Sequence, residues 1–383
     1  MTLRPGAVIR TILVALALGL SWGPAGAAGY AKHEAPVPTA TLALMAERGT
    51  SPAAPILMRT FKKEAELEVW KKARGGRYVL LKTFPICRWS GQLGPKTRQG
   101  DRQTPEGFYA VAPRQMNPNS AYHLSFDLGY PNAFDRAHGR SGSHLMVHGT
   151  CSSAGCFAMT DAAVSEIYAL AREAFAGGQA AFQVQAFPFR MTAQNMARHR
   201  TDPHIAFWRQ LKEGSDRFEA TGDEPSVSVS GGRYTFAPST DPAKEAQVAA
   251  RRAEEEARVA ALVADGAAAI RTTYADGGQH ASFASLLRRG FHLGEVSRPE
   301  ALAAAGREIV LIPARVKPVL VATLPPVREG AGRLSPAPEL SVFAWTPLGY
   351  AQPANAPASD TMAGATPIMP PGLAARPVRV AIR

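Results

Sequence analysis

Short apolar and aromatic runs recur between about residues 56 and 187, separated by glycine, proline and charged turn residues, a pattern typical of β-strands. One segment departs from this pattern, because its apolar residues return at three- and four-residue intervals. That spacing predicts a helix over Thr160–Phe175, capped by Thr160 or Asp161 and ended by Gly177 and Gly178. The region is therefore expected to be mainly β with one clear helix packed against it. The predicted strands are Ile56–Phe61, Ala65–Trp70, Tyr78–Phe84, Phe108–Ala112, Tyr122–Leu128, Leu145–Val147 and Ala181–Phe187.

Two further helical patterns follow the strand-rich region. Gln194–Phe218 is amphipathic and interrupted near Pro203. Glu245–Ala269 is rich in alanine, glutamate and arginine, and it predicts a solvent-exposed helix that could form a coiled-coil arm. Beyond Pro313 the chain is rich in proline and alanine and poor in charge, which predicts a disordered tail.

The N-terminus has the pattern of a secretory signal. Arg4 and Arg10 lie at the start of an apolar run, Thr11–Trp22, and Ala25-Gly26-Ala27 offers the small residues that a signal peptidase accepts. An uncleaved anchor is the alternative, but no later segment is long and apolar enough to predict a membrane span in the mature chain. The predicted organisation is a signal peptide (1–27), a leader (28–54), a mainly β domain (55–190), a helical extension (191–237), an Ala/Arg-rich, partly helical region (238–312) and a low-complexity tail (313–383).

Composition narrows the class of partner. Of the 383 residues 46% are hydrophobic and 19% are charged, which is ordinary for a globular protein and too polar for a polytopic membrane protein. Three cysteines are too few for a disulfide-based fold. The net charge of +12 favours an anionic partner. Because the chain is predicted to be exported to the periplasm or cell envelope, nucleic acid is disfavoured and an anionic wall polymer is favoured.

The residues that can carry chemistry concentrate between His144 and Asp161. His148 ends a predicted strand, a loop of small residues follows, and Cys156 stands shortly before the predicted helix. A thiol becomes a nucleophile as its thiolate, and a nearby imidazole or helix N-terminus lowers its pKa. Gly155 would let a substrate carbonyl approach the backbone, where amides around Cys156 could form an oxyanion hole. These residues predict a Cys–His acyl-transfer site that needs no cofactor or metal.

Other roles for these side chains stay open at the level of sequence. His144, His148, Cys151 and Cys156 have spacings that loosely resemble a zinc site. Cys151 could instead pair with Cys156 in an oxidising compartment, which would block the nucleophile. Cys87, within a strand-like run, is expected to be a small buried hydrophobic residue. A metal-free thiol is the favoured interpretation.

The run from His148-Gly149 to Ser153-Ala154-Gly155-Cys156 resembles the signature of the L,D-transpeptidase (YkuD-like) catalytic domain, in which His-Gly precedes Ser/Thr-His-Gly-Cys. Ala154 stands where the broader family commonly has a second histidine, and the YafK-like branch shares that departure. The likeness to this branch covers about residues 45–237. The runs that carry it are GCFAMTD at 155–161, GPK at 94–96, GDRQ at 100–103, TPEGFY at 104–109, NPNS at 117–120, YHL at 122–124 and GYPNAFDRAHGR at 129–140.

The resemblance implies an L,D-transpeptidase-like β-sandwich or barrel and a reaction on peptidoglycan. Cys156 would attack the carbonyl of an L,D-amide near diaminopimelate to form a thioester, and His148 would accept and return the proton. An amine or water would then resolve the thioester. Members of the YafK-like branch are associated with release of a protein cross-linked to peptidoglycan, so such a protein is a candidate partner. We expect a backbone carbonyl near Gly149 or Thr150 to orient His148.

Candidate substrate-binding residues are cationic or aromatic. The cations of the Gly-rich loop could pair with substrate carboxylates, or they could serve solubility alone. The aromatic candidates could line the groove, although aromatic residues in a β domain more often lie in the core. His144 is expected to be structural, and His138 could belong to a lid. The candidates are Lys96, Arg98, Arg102, Tyr122, His123 and Tyr130.

A second class of function is a non-catalytic envelope protein. Such a protein would keep the fold and bind the wall through its basic surface and its proline-rich tail. The presence of both His148 and Cys156 favours the enzyme.

Overall fold

Two β-sheets and the helices packed on them form the part of the protein that contains the predicted site. The computed structural model describes residues 30–290 and 306–315. All of them fall within the first of two units into which the chain divides, residues 1–319. The predicted signal peptide and nearly all of the predicted tail lie outside the described residues. No helix within the described ranges combines the length and apolar character needed to cross a bilayer.

The first sheet has five strands in the order β3-β2-β1-β9-β4. Its neighbours are antiparallel except for the central pair β1 and β9, which are parallel. Every residue of these two strands is buried, so other elements cover both faces of the sheet at its centre. The strands are β1 (Ile56–Phe61), β2 (Glu66–Lys72), β3 (Tyr78–Pro85), β4 (Gly107–Val111) and β9 (Phe182–Phe187).

The second sheet has four short strands in the order β5-β6-β7-β8. They are β5 (Met116–Asn117), which follows a 3₁₀ turn, β6 (Ser125–Asp127), β7 (Met146–His148) and β8 (Phe157–Ala158). β7 and β8 are parallel, with Val147 opposite Phe157 and His148 opposite Ala158. The loop 149–156 must therefore run back along β7 before β8 begins.

One hydrophobic core joins the two sheets through α3 (Asp161–Ala176). Thr160 caps this helix by accepting a hydrogen bond from the amide of Ala163. Its buried face includes Val164, Ile167 and Leu170, the apolar positions that predicted the helix. The prediction of a mainly β fold with packed helices is confirmed. The other helices are α1 (Thr39–Glu47), α2 (Ala133–Ala137), α4 (Ala193–Arg198), α5 (Ile205–Thr221), α6 (Pro242–Ala264) and α7 (Ala281–Arg288).

The predicted helical extension forms α4 and α5, but it also contains a hairpin that the helical pattern did not indicate. Strands β10 (Val227–Ser230) and β11 (Arg233–Phe236) are joined at Gly231 and Gly232. Tyr234 on β11 is buried in the main core, and its hydroxyl accepts a hydrogen bond from the amide of Phe108 on β4. The extension is therefore integral to the β domain.

Most residues of α6 are exposed, as predicted, but the helix is not a free arm. It packs along α4 and α5, where Lys212 contacts both Asp216 (2.8 Å) and Glu255 of α6 (2.9 Å). The helix ends at Ala264, five residues earlier than predicted, and the chain continues into strand β12 (Ala269–Thr273). β12 pairs with β13 (Arg307–Ile312). The alanine-rich composition could not reveal this end, because β12 takes its register from a strand more than 30 residues away.

A buried ion pair anchors the Gly-rich loop that follows β3. Lys62 is fully buried, and its Nζ lies 3.0 Å from Glu106 and donates to the carbonyls of Gly94 and Thr104. Glu106 accepts hydrogen bonds from the amide of Gly94 (2.7 Å) and from the indole of Trp208 on α5 (2.8 Å). Burial lowers the pKa of Lys62, and attraction to Glu106 opposes that shift. The pair thus ties the loop, at Gly94 and Thr104, to the residue that follows β1 and to Trp208 on α5.

We expect Glu106→Gln to lower the free energy of unfolding by about 3–5 kcal/mol, because it leaves the Lys62 charge buried without its counter-ion. Urea unfolding followed by tryptophan fluorescence measures this effect. Glu256→Gln is the matched control, since Glu256 is 69% exposed and pairs with Arg252 on the surface of α6; it should cost at most about 1 kcal/mol. Equal costs for the two variants would contradict the anchoring role of Lys62–Glu106.

Candidate active site

The parallel register of β7 and β8 brings the two predicted catalytic residues to one face of the second sheet. Cys156 directly precedes Phe157, so the same register extended by one residue sets it opposite Met146. Residues two apart on a strand share a face, and therefore His148 lies on the same face as Met146 and Cys156. The amide of Met146 indeed donates to the Cys156 Sγ at 3.4 Å. The strand register therefore places the thiol and the imidazole on one face of the sheet.

His148 is held by its own backbone neighbour. It is 2% exposed, and its Nδ1 lies 2.6 Å from the carbonyl of Gly149. With Nδ1 donating to this carbonyl, Nε2 is the nitrogen that can accept a proton. Burial lowers the pKa of His148, and the bond to Gly149 opposes this shift. The imidazole is therefore neutral at pH 7, and its basic nitrogen is Nε2.

Gly149 can hold this position only without a side chain. A Cβ there would lie 2.5 Å from the Asp161 Oδ1 and 3.0 Å from both the carbonyl of Tyr122 and the Cβ of His123. Its amide donates to the carbonyls of Tyr122 (3.0 Å) and Leu124 (3.2 Å). Close packing around the Gly149 Cα and two hydrogen bonds of its amide thus hold the residue whose carbonyl orients His148.

Cys156 is the free cysteine of the described residues, and it is partly exposed. Burial raises the pKa of its thiol to about 11; the Asp127 charge raises it too, while the Met146 amide and the Lys96 charge oppose the shift. The thiol is thus protonated at pH 7. Neither of the two groups that the sequence offered for lowering this pKa, a nearby imidazole or a helix N-terminus, is among the causes that act on it. β8 separates Cys156 from α3, which begins five residues later.

Ser153 organises the loop before Cys156, a role that the sequence did not indicate. Its Oγ accepts from the amides of Gly155 (3.3 Å) and Cys156 (3.1 Å) and donates to the Cys156 carbonyl (2.7 Å). Ser90 and Thr104 add contacts to Ser153 (3.0 Å) and to the Cys156 carbonyl (3.2 Å). The Gly155 and Cys156 amides, the predicted oxyanion donors, therefore point at the Ser153 hydroxyl.

The other two cysteines form a disulfide bond, Cys87–Cys151, with Cα atoms 5.2 Å apart, within the usual range. Two interpretations of the sequence are therefore wrong. Cys87 is not merely a small hydrophobic residue, and Cys151 does not pair with Cys156. The separation of 64 positions between the bonded cysteines hid the pair from sequence reasoning. The bond ties the start of the loop 149–156 to the end of β3.

The disulfide also removes a ligand from the zinc alternative. That alternative needed Cys151 as a thiolate, but its sulfur is bonded to Cys87. His144 is 84% exposed and points its Nδ1 toward Asp127 at 3.9 Å. Within residues 30–290 and 306–315, no three histidine, cysteine or acidic residues group as metal ligands. His138, left open by the sequence, contacts the carbonyl of Gly232 (2.8 Å).

The aromatic candidates divide between the site and the core. The ring of Tyr122, 42% exposed, lies 4.6 Å from the ring of His148 and covers it. His123 contacts Ser165 on α3 through Nε2 at 2.8 Å. Tyr130 is buried in the core, and its hydroxyl donates to the carbonyl of Lys96. Of the three, Tyr122 is the one beside His148.

Two of the three cationic candidates, Lys96 and Arg102, are already paired. Lys96 is buried, and its Nζ contacts Asp101 (2.5 Å) and the carbonyl of Arg98 (2.9 Å). Arg102 contacts Asp276, 174 residues away in sequence, at 2.6 Å. Asp276 stands in the Ala/Arg-rich region, where the sequence carried no signal of a role near the site. Its partner Arg102 also donates to the carbonyl of Ser153 (3.3 Å).

Comparison with known proteins places this site in a family. Residues 61–179 match YkuD, the L,D-transpeptidase catalytic domain, and this segment contains both His148 and Cys156. Two Escherichia coli proteins, from strain K12 and from O157:H7, each described as "Putative L,D-transpeptidase YafK", are 48% identical to the chain over 180 residues. That match covers 47% of this chain and 73% of each relative.

Similar solved structures are more distant. The helical cell shape determining protein Pgp2 from Campylobacter jejuni is 16% identical, with a TM-score of 0.29 over 61% of this chain and 80% of that chain. Bd1075 from Bdellovibrio bacteriovorus is 15% identical, with a TM-score of 0.26 over 46% of this chain and 78% of that chain. At these TM-scores the two likenesses carry no argument about this chain.

Proposed function

Because the chain belongs to the L,D-transpeptidase catalytic domain (YkuD) family, we propose that it is an exported cysteine enzyme acting on peptidoglycan. Its substrates are the stem peptides, cleaved at L,D-amide bonds near diaminopimelate. The observation that carries the proposal is that a free thiol, Cys156 next to β8, and a neutral imidazole, His148 on the adjacent parallel strand β7, share one face of the sheet. Family membership supplies the substrate class, and these two residues supply the chemistry.

The reaction begins with attack of the Cys156 Sγ on the amide carbonyl. His148 Nε2 takes the thiol proton and, as imidazolium, returns it to the leaving amine. The Gly149 carbonyl holds Nδ1–H in place and stabilises the charge that forms on the ring. The product of this half-reaction is a thioester on Cys156, which an amine or water then resolves.

Proton transfer accompanies attack, and no thiolate–imidazolium pair exists beforehand. Burial raises the pKa of Cys156 to about 11 and lowers the pKa of His148, so both groups are neutral at pH 7. Charge then develops only when a substrate carbonyl is in place to receive the sulfur. This arrangement limits reaction of the resting thiol with other electrophiles.

The oxyanion of the tetrahedral intermediate is assigned to the backbone at Gly155 and Cys156. Both amides now donate to the Ser153 Oγ. Rotation of that hydroxyl away from the two amides would release them toward the substrate oxygen. Tyr122, beside His148, forms part of the groove wall, whereas Lys96 and Arg102 act on substrate only through the loops that they hold.

Water is the proposed acceptor, with release of a wall-linked protein as the outcome; a peptidoglycan amine is the other acceptor. Residues 1–27 are proposed to direct the chain to the periplasm, where both peptidoglycan and such a protein partner are found. The tail from residue 313 is proposed as a linker.

Rapid acid quenching of the enzyme with purified sacculi tests the proposal. We expect the proteolytic peptide that contains Cys156 to carry the acyl portion of a stem peptide, released by hydroxylamine as thioesters are. Mass spectrometry of the muropeptides then identifies the acceptor. New cross-links indicate transfer, shortened stems indicate a carboxypeptidase, and loss of protein remnants indicates an amidase.

An unmodified Cys156 together with unchanged muropeptides would contradict the proposal that the chain is an enzyme. If the chain still sedimented with sacculi in that case, the non-catalytic wall-binding protein would replace it.

A further inference from the structure

A segment beyond the β domain binds back onto the strand end that leads into the site. This segment, Tyr274–His280, is called the strap. Backbone hydrogen bonds join Gly277 to Gly91, Gly278 to Trp89 in both directions, and His280 to Ile86, at 2.7–3.1 Å. The strap therefore pairs along residues 86–92, directly after the disulfide-bonded end of β3.

Side chains reinforce this pairing. The amide group of Gln92 exchanges two hydrogen bonds with the backbone of Tyr274 (2.5 and 2.9 Å), and the Tyr274 ring packs against the buried Trp89 at 4.7 Å. Gly277 has a φ of +73°, and a Cβ there would lie 1.9 Å from the Trp89 carbonyl. Phe283, after the strap, packs on the Cys87–Cys151 disulfide. The strap therefore fits this surface closely.

Asp276 lies at the centre of the strap and meets three groups of the β domain. Its carboxylate contacts Arg102 at Nη2 (2.6 Å) and Nε (3.4 Å) and accepts from the amide of Gly91 (3.3 Å). Its carbonyl accepts from Arg88 (2.5 Å). Burial alone would raise the pKa of Asp276, but hydrogen bonding and attraction to Arg102 outweigh it and lower the pKa. Asp276 is thus a carboxylate anion at neutral pH.

Arg102 connects this carboxylate to the nucleophile loop. The Nη2 that contacts Asp276 also donates to the Ser153 carbonyl (3.3 Å), and the Ser153 Oγ binds the amide and carbonyl of Cys156. The side chain of Arg102 is 48% exposed, so packing restrains it little. Its contacts with Asp276 and with the Ser153 carbonyl hold the guanidinium in this orientation.

We propose that Asp276 is a positioning residue for Cys156: it fixes the Arg102 guanidinium against the Ser153 carbonyl and so sets the loop that carries the thiol. This inference rests on the proposed function only in taking Cys156 as the residue that reacts with substrate. It gives the region 238–312 a role in the site that the catalytic domain alone does not supply.

The other role available to Asp276 is that of an occupant of a substrate carboxylate site on Arg102. The backbone pairing argues against it, because a substrate would have to displace the strap from Trp89 and Gly91 as well as from Arg102. Because the strap could be displaced only if several hydrogen bonds broke together, it acts as a fixed wall of the site.

Asp276→Asn in the full chain tests the proposal, with Glu254→Gln as the matched control. Glu254 is an exposed acid of the same region, 71% exposed, and the substitution removes the same charge. Two readouts are measured. One is kcat and KM on muropeptides, per folded molecule. The other is the rate at which iodoacetamide alkylates Cys156, the one cysteine of three outside the disulfide.

We expect Asp276→Asn to lower kcat about tenfold with KM nearly unchanged, because the sulfur is misplaced rather than the substrate released. Alkylation should accelerate, since burial is the main cause of the raised pKa of Cys156 and a looser loop admits water. Glu254→Gln should change neither. Arg102→Gln should reproduce both effects, and the double variant should be no worse than Arg102→Gln alone.

Three results would overturn the proposal. A lower urea midpoint with unchanged kcat per folded molecule would make the strap purely structural. A lower KM or a higher kcat would make Asp276 a competitor of substrate carboxylates. Unchanged kcat and alkylation would separate Asp276 from the site altogether. Because alkylation reports on Cys156 without any substrate, it tests the positioning role even if the proposed reaction fails.

Discussion

Replacing Cys156 with alanine is expected to abolish turnover of peptidoglycan, with a loss of at least about 10⁴-fold in kcat. The sulfur forms the covalent bond to the substrate in the proposed reaction, and no other free thiol exists, because Cys87 and Cys151 are bonded to each other. Water would have to attack the amide directly. Product release from sacculi, quantified by mass spectrometry, measures the effect.

The fold should survive this substitution. The Cys156 Sγ makes two weak contacts, with the Met146 amide (3.4 Å) and the His144 carbonyl (3.6 Å), whereas the loop is held through the Cys156 backbone by Ser153 and Thr104. Cys156→Ala should therefore still sediment with sacculi, and Cys156→Ser should also be inactive, since a hydroxyl is a far weaker nucleophile at pH 7. Turnover by Cys156→Ala at the wild-type rate would show that Cys156 is not the nucleophile.

Local pattern was enough to predict most of the β domain. Strand β1 has the bounds predicted for it, and α3 begins beside its predicted cap, because each depends on neighbouring residues alone. In the second sheet β6 is shorter than predicted, Ser125–Asp127 in place of Tyr122–Leu128, whereas β7 keeps the predicted length and is shifted by one residue. The β12–β13 pair escaped notice because its strands lie more than 30 residues apart, whereas the β10–β11 hairpin is local and the signal of its Gly231-Gly232 turn was overlooked.

The candidate site likewise contains features that neighbouring residues predict and contacts that depend on distant residues. His148 and Cys156 stand eight residues apart, so sequence could suggest their pairing, although the parallel register that places them on one face was not predictable. The Cys87–Cys151 bond and the Arg102–Asp276 contact join residues 64 and 174 positions apart. No local pattern encodes either contact. The Ala/Arg-rich region beyond residue 238 is distinct in composition from the β domain, yet it contributes Asp276.

His148→Asn is expected to lower kcat by about 10²–10⁴-fold and to change the pH dependence of what remains. Asparagine can still donate to the Gly149 carbonyl but offers no basic nitrogen where Nε2 stood. The variant therefore removes the base while it keeps the hydrogen bond that holds this end of β7. His33→Gln, at a partly exposed histidine outside the site, is the matched control.

The pH profile of kcat/KM distinguishes a base from a structural histidine. Burial lowers the pKa of His148, so the neutral base persists below pH 6.5, and the wild-type rate should fall only as pH drops below that value. In His148→Asn this break and the plateau above it should vanish. Its residual rate should instead rise about tenfold per pH unit across the neutral and mildly alkaline range, because attack then depends on the thiolate of a thiol whose pKa is about 11. A break that persists in the variant at the wild-type pH would assign it to another group and leave Cys156 without its proposed proton acceptor.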